Sequence, residues 1–373
     1  MKTLKTVFNN YVDSHPRRVS TMKLYKFAYR VFEGNSGGDE RLVSDVSHND
    51  ISQFVSYITK HYSPNSAYVI FGIIRSIFEY AKRSGIIAIN PCDMVDVRRH
   101  FGRHKHHQAL TRKQMEACEN DFWKDITGKS GTISIATATT MVTDIKSELF
   151  QKMCFILGYY LQGLSFSDIL SLKLSSVKAK CQNGMQCYII ETKRKKTGKA
   201  VKIVIPKSHT SRYMLFDTLF HVAKKTGAVH LIPSMDKIEA NDTYYIYNKV
   251  NRMNGTMNRC LKRWWKQLNS TILADTPIDV RATSFYSCRH TFATLYMESP
   301  DANLSELASL MGRNAEYIDT YIRELVADEV LMKASDKVYC SVANSEKGYD
   351  TILKNQKKII KIMGTILDMI KSK

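Results

Sequence analysis

The chain lacks the features of a membrane protein or of a secreted, disulfide-linked protein. No apolar run reaches the ~18–20 residues that a membrane-spanning helix needs. The first residues, Met1 to Tyr11, contain no apolar stretch of the kind found in signal peptides. The eight cysteines are scattered, without a Cys-x-x-Cys pair or any spacing typical of zinc ligands. We therefore expect an intracellular protein whose thiols are free and mostly buried.

Acidic residues are scarce relative to basic ones. The 55 Lys and Arg residues against 35 Asp and Glu give a formal net charge of +20 over 373 residues. Such an excess favours a polyanionic partner and makes its binding dependent on salt. Nucleic acid is the leading candidate, although an anionic membrane surface would also suit the charge. The length predicts two or three folded units, of which two is the simpler expectation.

The first hundred residues have the periodicity of short amphipathic helices. Between Ser20 and Ser84 the apolar residues recur at helical spacing, and breakers at 34–38, 63–66 and Asn90-Pro91 divide them. This pattern predicts three or four helices in an all-helical module that spans 1–96.

A basic stretch follows this module. Residues 97–113 contain six Lys or Arg, four His and no acid, without a clean apolar period. We interpret 97–109 as a linker that lies over a phosphate backbone. The tract His104-Lys105-His106-His107 has no flanking Cys or carboxylate, so it is assigned to the linker and not to a metal site. The candidate DNA contacts in the linker are Arg98, Arg99, Arg103 and Lys105.

A second, larger unit starts near Leu110, with Thr111 as a candidate helix cap. Helical patterns at 145–161 and 167–174 precede the strong β signal of the chain, in which 185–192 and 201–205 both alternate. These two strands predict an antiparallel hairpin with a lysine-rich tip. The fold class is therefore mainly α with a small antiparallel β-sheet. Near the end, Ile352, Ile359 and Ile366 are seven residues apart, which predicts a docking helix within 341–373.

Two motifs in the last third carry a resemblance to a known family. The segment 283–294 reads Thr-Ser-Phe-Tyr-Ser-Cys-Arg-His-Thr-Phe-Ala-Thr. It resembles the His-x-x-Arg-His motif of the tyrosine recombinases, which include phage integrases and transposon integrases. Arg289 and His290 match, and Tyr286 stands where the first His would be.

The family's final motif has a similar counterpart. Met311-Gly312-Arg313 aligns with its Leu-Gly-His turn, so that Arg313 replaces the usual His. Tyr321 then falls at the distance of the nucleophile. Tyr317 lies nearer to the turn and Tyr339 lies farther along, and both remain alternatives.

The hairpin tip and the region after Gln162 also align with the family. Lys196 directly precedes Thr-Gly, as the catalytic lysine of the family does. In the run 163–169, however, Ser165 occupies the position of the first catalytic arginine, and Gln162 occupies the earlier position that some relatives use. The candidate substitutes, in order of preference, are Arg194 (two residues before Lys196 and expected on the same strand face), Arg313 and Arg281.

The resemblance implies a chemistry for these residues. Tyr321 would attack a DNA phosphate and form a 3′-phosphotyrosine, which splits strand exchange into two reversible steps. Arg289 would hold the transition-state charge with help from Arg194, and Lys196 would protonate the leaving 5′-oxygen. Tyr286 and Arg313 would donate hydrogen bonds to phosphate oxygens. No metal or other cofactor is implied, and the tip residues Lys193 and Lys195 would contact DNA.

The resemblance also implies an architecture and a setting. We expect a two-domain, C-shaped DNA clamp with a core-binding domain at 1–96 and a catalytic domain at 110–340. Four protomers would assemble on two DNA duplexes in the bacterial cytoplasm, at the nucleoid, with accessory DNA-bending proteins as further partners. The tail helix would pack either on its own chain or on a neighbouring protomer. Integration or excision of a mobile element, inversion and dimer resolution all share this chemistry.

Two other functions remain open from the sequence. Ser165, Tyr286 and Arg313 all depart from the family pattern, which is also what a catalytically impaired, DNA-binding accessory protein would show. A metal-dependent nuclease needs clustered carboxylates. Asp319 and Glu324 are the nearest acids, and they have no third partner in view.

Overall fold

The computed structural model describes residues 2–14, 16–101, 108–128, 132–182, 184–299 and 302–312. These residues form two large hydrophobic cores, one ending at Phe101 and the other starting at Leu110. A small third cluster joins the last two described helices through Ala293, Leu307, Ala308 and Met311. Several predicted features lie outside the described residues: Arg103, Lys105, Arg313, Tyr317, Tyr321, Tyr339 and the segment 341–373, for which a docking helix is predicted. Within the described ranges, no helix is both long enough and apolar enough to cross a membrane.

The first core belongs to five helices. Serine and threonine caps start three of them: Thr3 before α1, Ser47 with Asp50 in a capping box before α3, and Ser63 before α4. The helix α1 was not expected from the sequence. The bounds are α1 Leu4–Asp13, α2 Val19–Glu33, α3 His48–His61, α4 Pro64–Arg83 and α5 Val97–Phe101.

The helix α5 occupies the start of the predicted linker. Phe101 is 3% exposed, and its ring centroid lies 5.3 Å from that of Phe71 in α4. Val97 also packs against this core. Because these two side chains are four residues apart on one helix face, burying them extends the module to residue 101. The predicted boundary at Val97 is therefore too early.

The second unit combines nine helices of the described chain with one sheet. The helix α8 is buried on nearly every side, which makes it the centre of this core. The helix bounds are α6 Arg112–Thr127, α7 Ile135–Thr143, α8 Glu148–Tyr160, α9 Phe166–Leu170, α10 Thr210–Lys225, α11 Ser234–Glu239, α12 Thr243–Thr271, α13 Ser287–Met297 and α14 Leu304–Leu310.

The sheet has three antiparallel strands in the order β1-β2-β3: Val177–Gln182, Met185–Lys193 and Ala200–Pro206. The predicted hairpin is β2–β3, which closes where Lys193 pairs with Ala200. The strand β1 was missed because residues 178–181 are exposed and show no apolar alternation. The fold class of helices with a small antiparallel sheet is confirmed.

A close approach between α8 and α13 positions the candidate site. A Cβ atom on Gly158 would lie 3.0 Å from both the Sγ of Cys288 and the ring of Phe285. Glycine at this point lets the start of α13 pack directly on the end of α8. Arg289, the next residue after Cys288, is thereby brought to the loop that follows α8.

Candidate functional site

Arg289 lies in the first turn of α13 and is 0% exposed. Its Nη1 donates to the carbonyl oxygen of Gly163 at 2.8 Å, and its Nη2 donates to the carbonyl oxygen of Met311 at 2.9 Å. Gly163 has a φ of 71°, and a Cβ there would lie 2.8 Å from the Cα and Cγ atoms of Arg289. The loop after α8 therefore requires glycine in order to lie against this arginine.

Arg194, the first-choice substitute, meets Arg289 at one acceptor. Its Nη1 donates to the same Met311 carbonyl oxygen at 2.8 Å, and its Nη2 lies 3.4 Å from the Oδ2 of Asp168. Arg194 is 7% exposed. The structure thus brings together two arginines that are far apart in sequence, although only Arg289 belongs to the motif that the sequence displays.

Ser165 and Tyr286, which replace the family's first Arg and first His, line one pocket. The pocket has a volume of about 380 Å³, and its polar lining includes Asn254, Asn258 and Ser284 but no charged side chain. Ser165 caps α9, because its Oγ accepts from the backbone N of Asp168 at 3.3 Å and donates to the Oδ2 at 2.7 Å. The Tyr286 ring is edge-on to His290 with centroids 5.3 Å apart.

Lys196 lies in the hairpin turn and its side chain is exposed. The turn is closed by hydrogen bonds from the Gly198 N to the Arg194 O at 2.8 Å and from the Arg194 N to the Lys199 O at 2.9 Å. The expectation that Arg194 and Lys196 share a strand face is wrong, because β2 ends at Lys193. The turn directs Arg194 into the protein and leaves Lys196 in solvent.

The other predicted residues are more dispersed. Lys193 is exposed at the end of β2, whereas the Lys195 Nζ is paired with Glu239 at 3.2 Å. Arg98 and Arg99 lie in α5. Arg281 is exposed in the turn before α13, and no contact within the described ranges joins its side chain to Arg289 or Arg194.

Two components of the site were missed from the sequence. Asp168 pairs with Arg194, and it stands in the Gly-Leu-Ser-Phe-Ser-Asp run where the family carries a Glu, so that alignment contained a signal. The Met311 carbonyl group carries no side-chain signal, and only the fold reveals it. Neighbouring Cys288 is no rival nucleophile, because burial raises the pKa of its thiol to about 12.

The charges of this cluster favour an anion. Arg194 and Arg289 contribute two positive charges, while Asp168 contributes one negative charge and the Met311 carbonyl is neutral. Guanidinium groups bind phosphate with paired, charge-assisted hydrogen bonds. Within the part of the chain that the structure describes, no group of three or more His, Cys, Asp or Glu side chains is placed to hold a metal ion.

Comparisons with known proteins identify a domain family at the start of the chain and solved structures of similar fold. Residues 3–97 match the phage integrase SAM-like domain. A fragment of lambda integrase, solved as a dimer bound to a COC′ core site, is similar with a TM-score of 0.53 and 14% identity, over 86% of this chain and 95% of that chain. A Tn1549 transposon integrase fragment in complex with transposon right end DNA gives a TM-score of 0.57 and 16% identity, over 91% of this chain and 100% of that chain.

A third structure, the lambda integrase tetramer bound to a Holliday junction, has a TM-score of 0.52 and 15% identity, over 84% of this chain and 78% of that chain. No curated protein matches the chain by sequence. The chain thus has the fold of the integrases, with a phage integrase SAM-like domain at its start. The fold that the resemblance to the tyrosine recombinases implied is therefore confirmed, and the match to a family model covers residues 3–97.

Proposed function

We propose that this protein is a tyrosine site-specific recombinase, which breaks and rejoins DNA strands through a 3′-phosphotyrosine intermediate. The observation that carries the proposal is the convergence of Arg194 and Arg289 on one carbonyl oxygen. This pair lies beside the loop that bears Ser165, the position of the family's first arginine. Arg194 then supplies the guanidinium group that the sequence motif lacks.

The Met311 carbonyl oxygen occupies the position of an anionic oxygen between the two guanidinium groups. Arg289 is 0% exposed and donates to the Met311 carbonyl group, so the proposal requires the turn at Met311-Gly312 to move aside when a phosphate binds. On this proposal the scissile phosphate replaces the carbonyl group as the acceptor. Each guanidinium donor to the transition state then contributes about 3–4 kcal/mol.

The proton balance of the reaction assigns the remaining roles. The phenol of Tyr321 loses its proton to water, favoured by the positive field of the two arginines, and its oxygen bonds to phosphorus while the bond from phosphorus to the 5′-oxygen breaks. Lys196, exposed at the hairpin tip, gives its proton to that leaving oxygen. A 5′-hydroxyl group from the partner strand later attacks the phosphotyrosine and gives its proton back to Lys196. The phosphodiester is restored, and the tyrosine oxygen leaves and takes up a proton from water.

The biological setting is proposed from the same resemblance. The protein would bind double-stranded DNA as a C-shaped clamp, with an N-terminal domain that ends at Phe101 and a catalytic domain at 110–340. It would act as a tetramer on two duplexes with accessory DNA-bending proteins. The tail at 341–373 would dock within its own chain or on a neighbour. Similarity to the Tn1549 and lambda integrases supports integration or excision of a mobile element, with DNA inversion as the related task, at the bacterial nucleoid.

A catalytically impaired accessory protein is the second candidate. Two observations favour it: the pocket at Ser165 and Tyr286 has no charged side chain in its lining, and Arg289 is fully buried. A nicked suicide duplex separates the two functions, because the strand fragment diffuses away after cleavage and traps the intermediate.

We expect a covalent protein–DNA adduct that forms equally well in EDTA. If the protein binds the duplex but forms no adduct with it, the result would instead support the accessory function. Cleavage that EDTA abolishes would support a metal-dependent nuclease.

A further inference from the structure

The N-terminal module touches the candidate site through the start of α2. Arg18 directs its Nη1 at two backbone carbonyl oxygens of the hairpin tip, those of Lys195 at 2.5 Å and Lys196 at 3.0 Å. One turn further along α2, the Lys23 ammonium group bonds to Asn248 and lies 4.5 Å from the ring centroid of Tyr244. These contacts join the first core to the second at a point remote from the linker.

The second contact anchors the first. Lys23 is half-buried, and the Tyr247 ring centroid, also on α12, lies 5.0 Å from its ammonium nitrogen. Two aromatic faces and an amide oxygen form a site that suits a cation. The start of α2 is therefore held against α12, which fixes the position from which Arg18 reaches the tip.

The hairpin tip is held from two sides. On the side of the second unit, the Lys195 backbone N donates to Asp168 Oδ1 at 2.8 Å and its Nζ pairs with Glu239 at 3.2 Å. On the side of the N-terminal module, Arg18 donates hydrogen bonds to the backbone carbonyl oxygens of Lys195 and Lys196. The Lys196 side chain is left exposed while its backbone is fixed. A proton donor on a fixed support suits general acid catalysis, which depends on the position of the donor.

We propose that Arg18 is a positioning residue for Lys196, so that closure of the N-terminal module onto the hairpin places the proton donor at the leaving oxygen. The inference rests on the proposed function, since it assumes that Lys196 is the general acid. It adds that the acid is not assembled by the catalytic domain alone. An open module leaves the tip carbonyl groups in water and the lysine unplaced.

The test compares two leaving groups. Single-turnover cleavage is measured at saturating protein on a suicide duplex with an ordinary 5′-oxygen and on one with a bridging 5′-sulfur, which leaves without a proton. Loss of a general acid typically slows cleavage by about 10²–10⁴-fold. We expect about a tenfold loss for Arg18→Ala on the oxygen substrate, because the lysine is misplaced but present, and near-normal cleavage of the sulfur substrate.

Two further variants serve as controls. Arg18→Lys keeps a cationic donor in reach of the carbonyl groups and should restore most of the rate. Arg30→Ala removes the same charge from an exposed position at the other end of α2 and should leave the ratio of the two rates unchanged. A merely structural role for Arg18 would slow both substrates equally.

The outcomes separate the inference from its premise. If sulfur rescues Lys196→Ala but Arg18→Ala cleaves the oxygen substrate normally, or is slow on both substrates, the positioning role is wrong and the acid role stands. If sulfur fails to rescue Lys196→Ala, the acid role itself is wrong, and the positioning role is overturned with it.

Discussion

Arg194 and Arg289 share an acceptor but are stabilised differently. Asp168 lies beside Arg194 only, so the Arg194 guanidinium group is positioned by an ion pair, while Arg289 is positioned by two backbone carbonyl groups. When a phosphate replaces the Met311 carbonyl group, Arg194 keeps its pair with Asp168 and Arg289 keeps its bond to the Gly163 carbonyl group. Each planar donor then has one fixed partner, as electrostatic stabilisation requires. On the proposed function, Arg194 in the hairpin turn therefore compensates for the arginine that Ser165 replaces.

Replacing Arg194 tests this compensation. Arg194→Ala should lower the rate of strand cleavage by about 10²–10³-fold, the usual loss for one transition-state donor. Lys202→Ala removes one charge from exposed β3 and is the matched control. Gel-resolved adduct formation on a suicide duplex measures both. An Arg194→Ala rate within a few-fold of Lys202→Ala would contradict the substitute role.

The sequence predicts which residues belong to the candidate site better than it predicts which groups those residues contact. Arg289 and Lys196 stand in motifs with recognisable neighbours, and Arg194 was proposed because it is close to Lys196. The two residues do not share a strand face, because the turn that starts at Arg194 reverses the side-chain direction. The Met311 carbonyl acceptor was invisible because every residue type carries a backbone oxygen.

Among the elements, the turn after α14 packs against β3 and positions the Met311 carbonyl group at the candidate site. Gly312 has a φ of 59°, and a Cβ there would lie 2.4 Å from the Cγ2 of Val201 and 3.3 Å from the Cδ of Arg194. The end of α14 thus packs on β3 only because this residue has no side chain. That packing sets the position of the Met311 carbonyl group.

Gly312→Ala should disturb both stability and activity. We expect it to lower the free energy of unfolding by about 2–4 kcal/mol, from the positive φ and the clash with Val201. Gly227 is the control, because it has a φ of 69° but no atom within 4 Å of an added Cβ. Gly227→Ala should lower the free energy of unfolding by about 1–2 kcal/mol and leave the rate of strand cleavage unchanged. Urea unfolding and cleavage assays would contradict the account if the two variants behaved alike.

The capping box of α3 predicts a pH effect on the N-terminal module. Hydrogen bonds from Arg41, with further bonds from Ser47, lower the pKa of Asp50 to about 2. A carboxyl group whose pKa is lowered by folding stabilises the folded state above its unfolded pKa of about 4, and that stabilisation is lost as the pH falls towards 2.

Asp50→Asn should therefore lower the free energy of unfolding by about 1–2 kcal/mol at neutral pH. The deficit should shrink below pH 4, as the wild-type carboxylate takes up a proton. Urea titrations of the full chain from pH 7 to pH 3 measure it, with Asp13→Asn at the exposed end of α1 as the control. A deficit that is absent at pH 7, or constant down to pH 3, would contradict the assignment.

The sequence predicts a strand whose side chains alternate between buried and exposed, but it does not predict a strand whose side chains are all exposed. Strand β3 alternates between exposed and buried residues, so its pattern appears in the sequence. Strand β1 is paired but solvent-facing over Lys178 to Cys181, and its sequence has no alternation to detect. The helix α5 was hidden because its basic residues outnumber the two apolar ones that pack, Val97 and Phe101.

At the scale of the whole molecule, charge and topology act together. The net charge of +20 favours a DNA partner, and the two cores meet at Arg18 and Lys23 as well as through the linker. The two-unit organisation followed from length and periodicity. The Arg18 contact did not, because it joins residues 177 positions apart through groups that no local pattern marks.

Salt dependence tests the DNA partner at this scale. If the clamp neutralises about 6–10 phosphates, affinity for duplex DNA should fall by about 10³–10⁵-fold between about 50 and about 200 mM salt. Fluorescence anisotropy with a labelled duplex measures the slope. A slope near zero would contradict binding through the basic surface, and a comparable slope for anionic vesicles would favour a membrane surface instead.

The central claim is that a phenol in the C-terminal third of the chain becomes covalently linked to DNA. Mass spectrometry of the peptide that carries the trapped nucleotide, from wild type and from Tyr317→Phe, Tyr321→Phe and Tyr339→Phe, tests it most directly. We predict a phosphotyrosyl linkage at Tyr321 that disappears only in Tyr321→Phe. Linkage at another residue, or an adduct that survives in Tyr321→Phe, would contradict the assignment of the nucleophile.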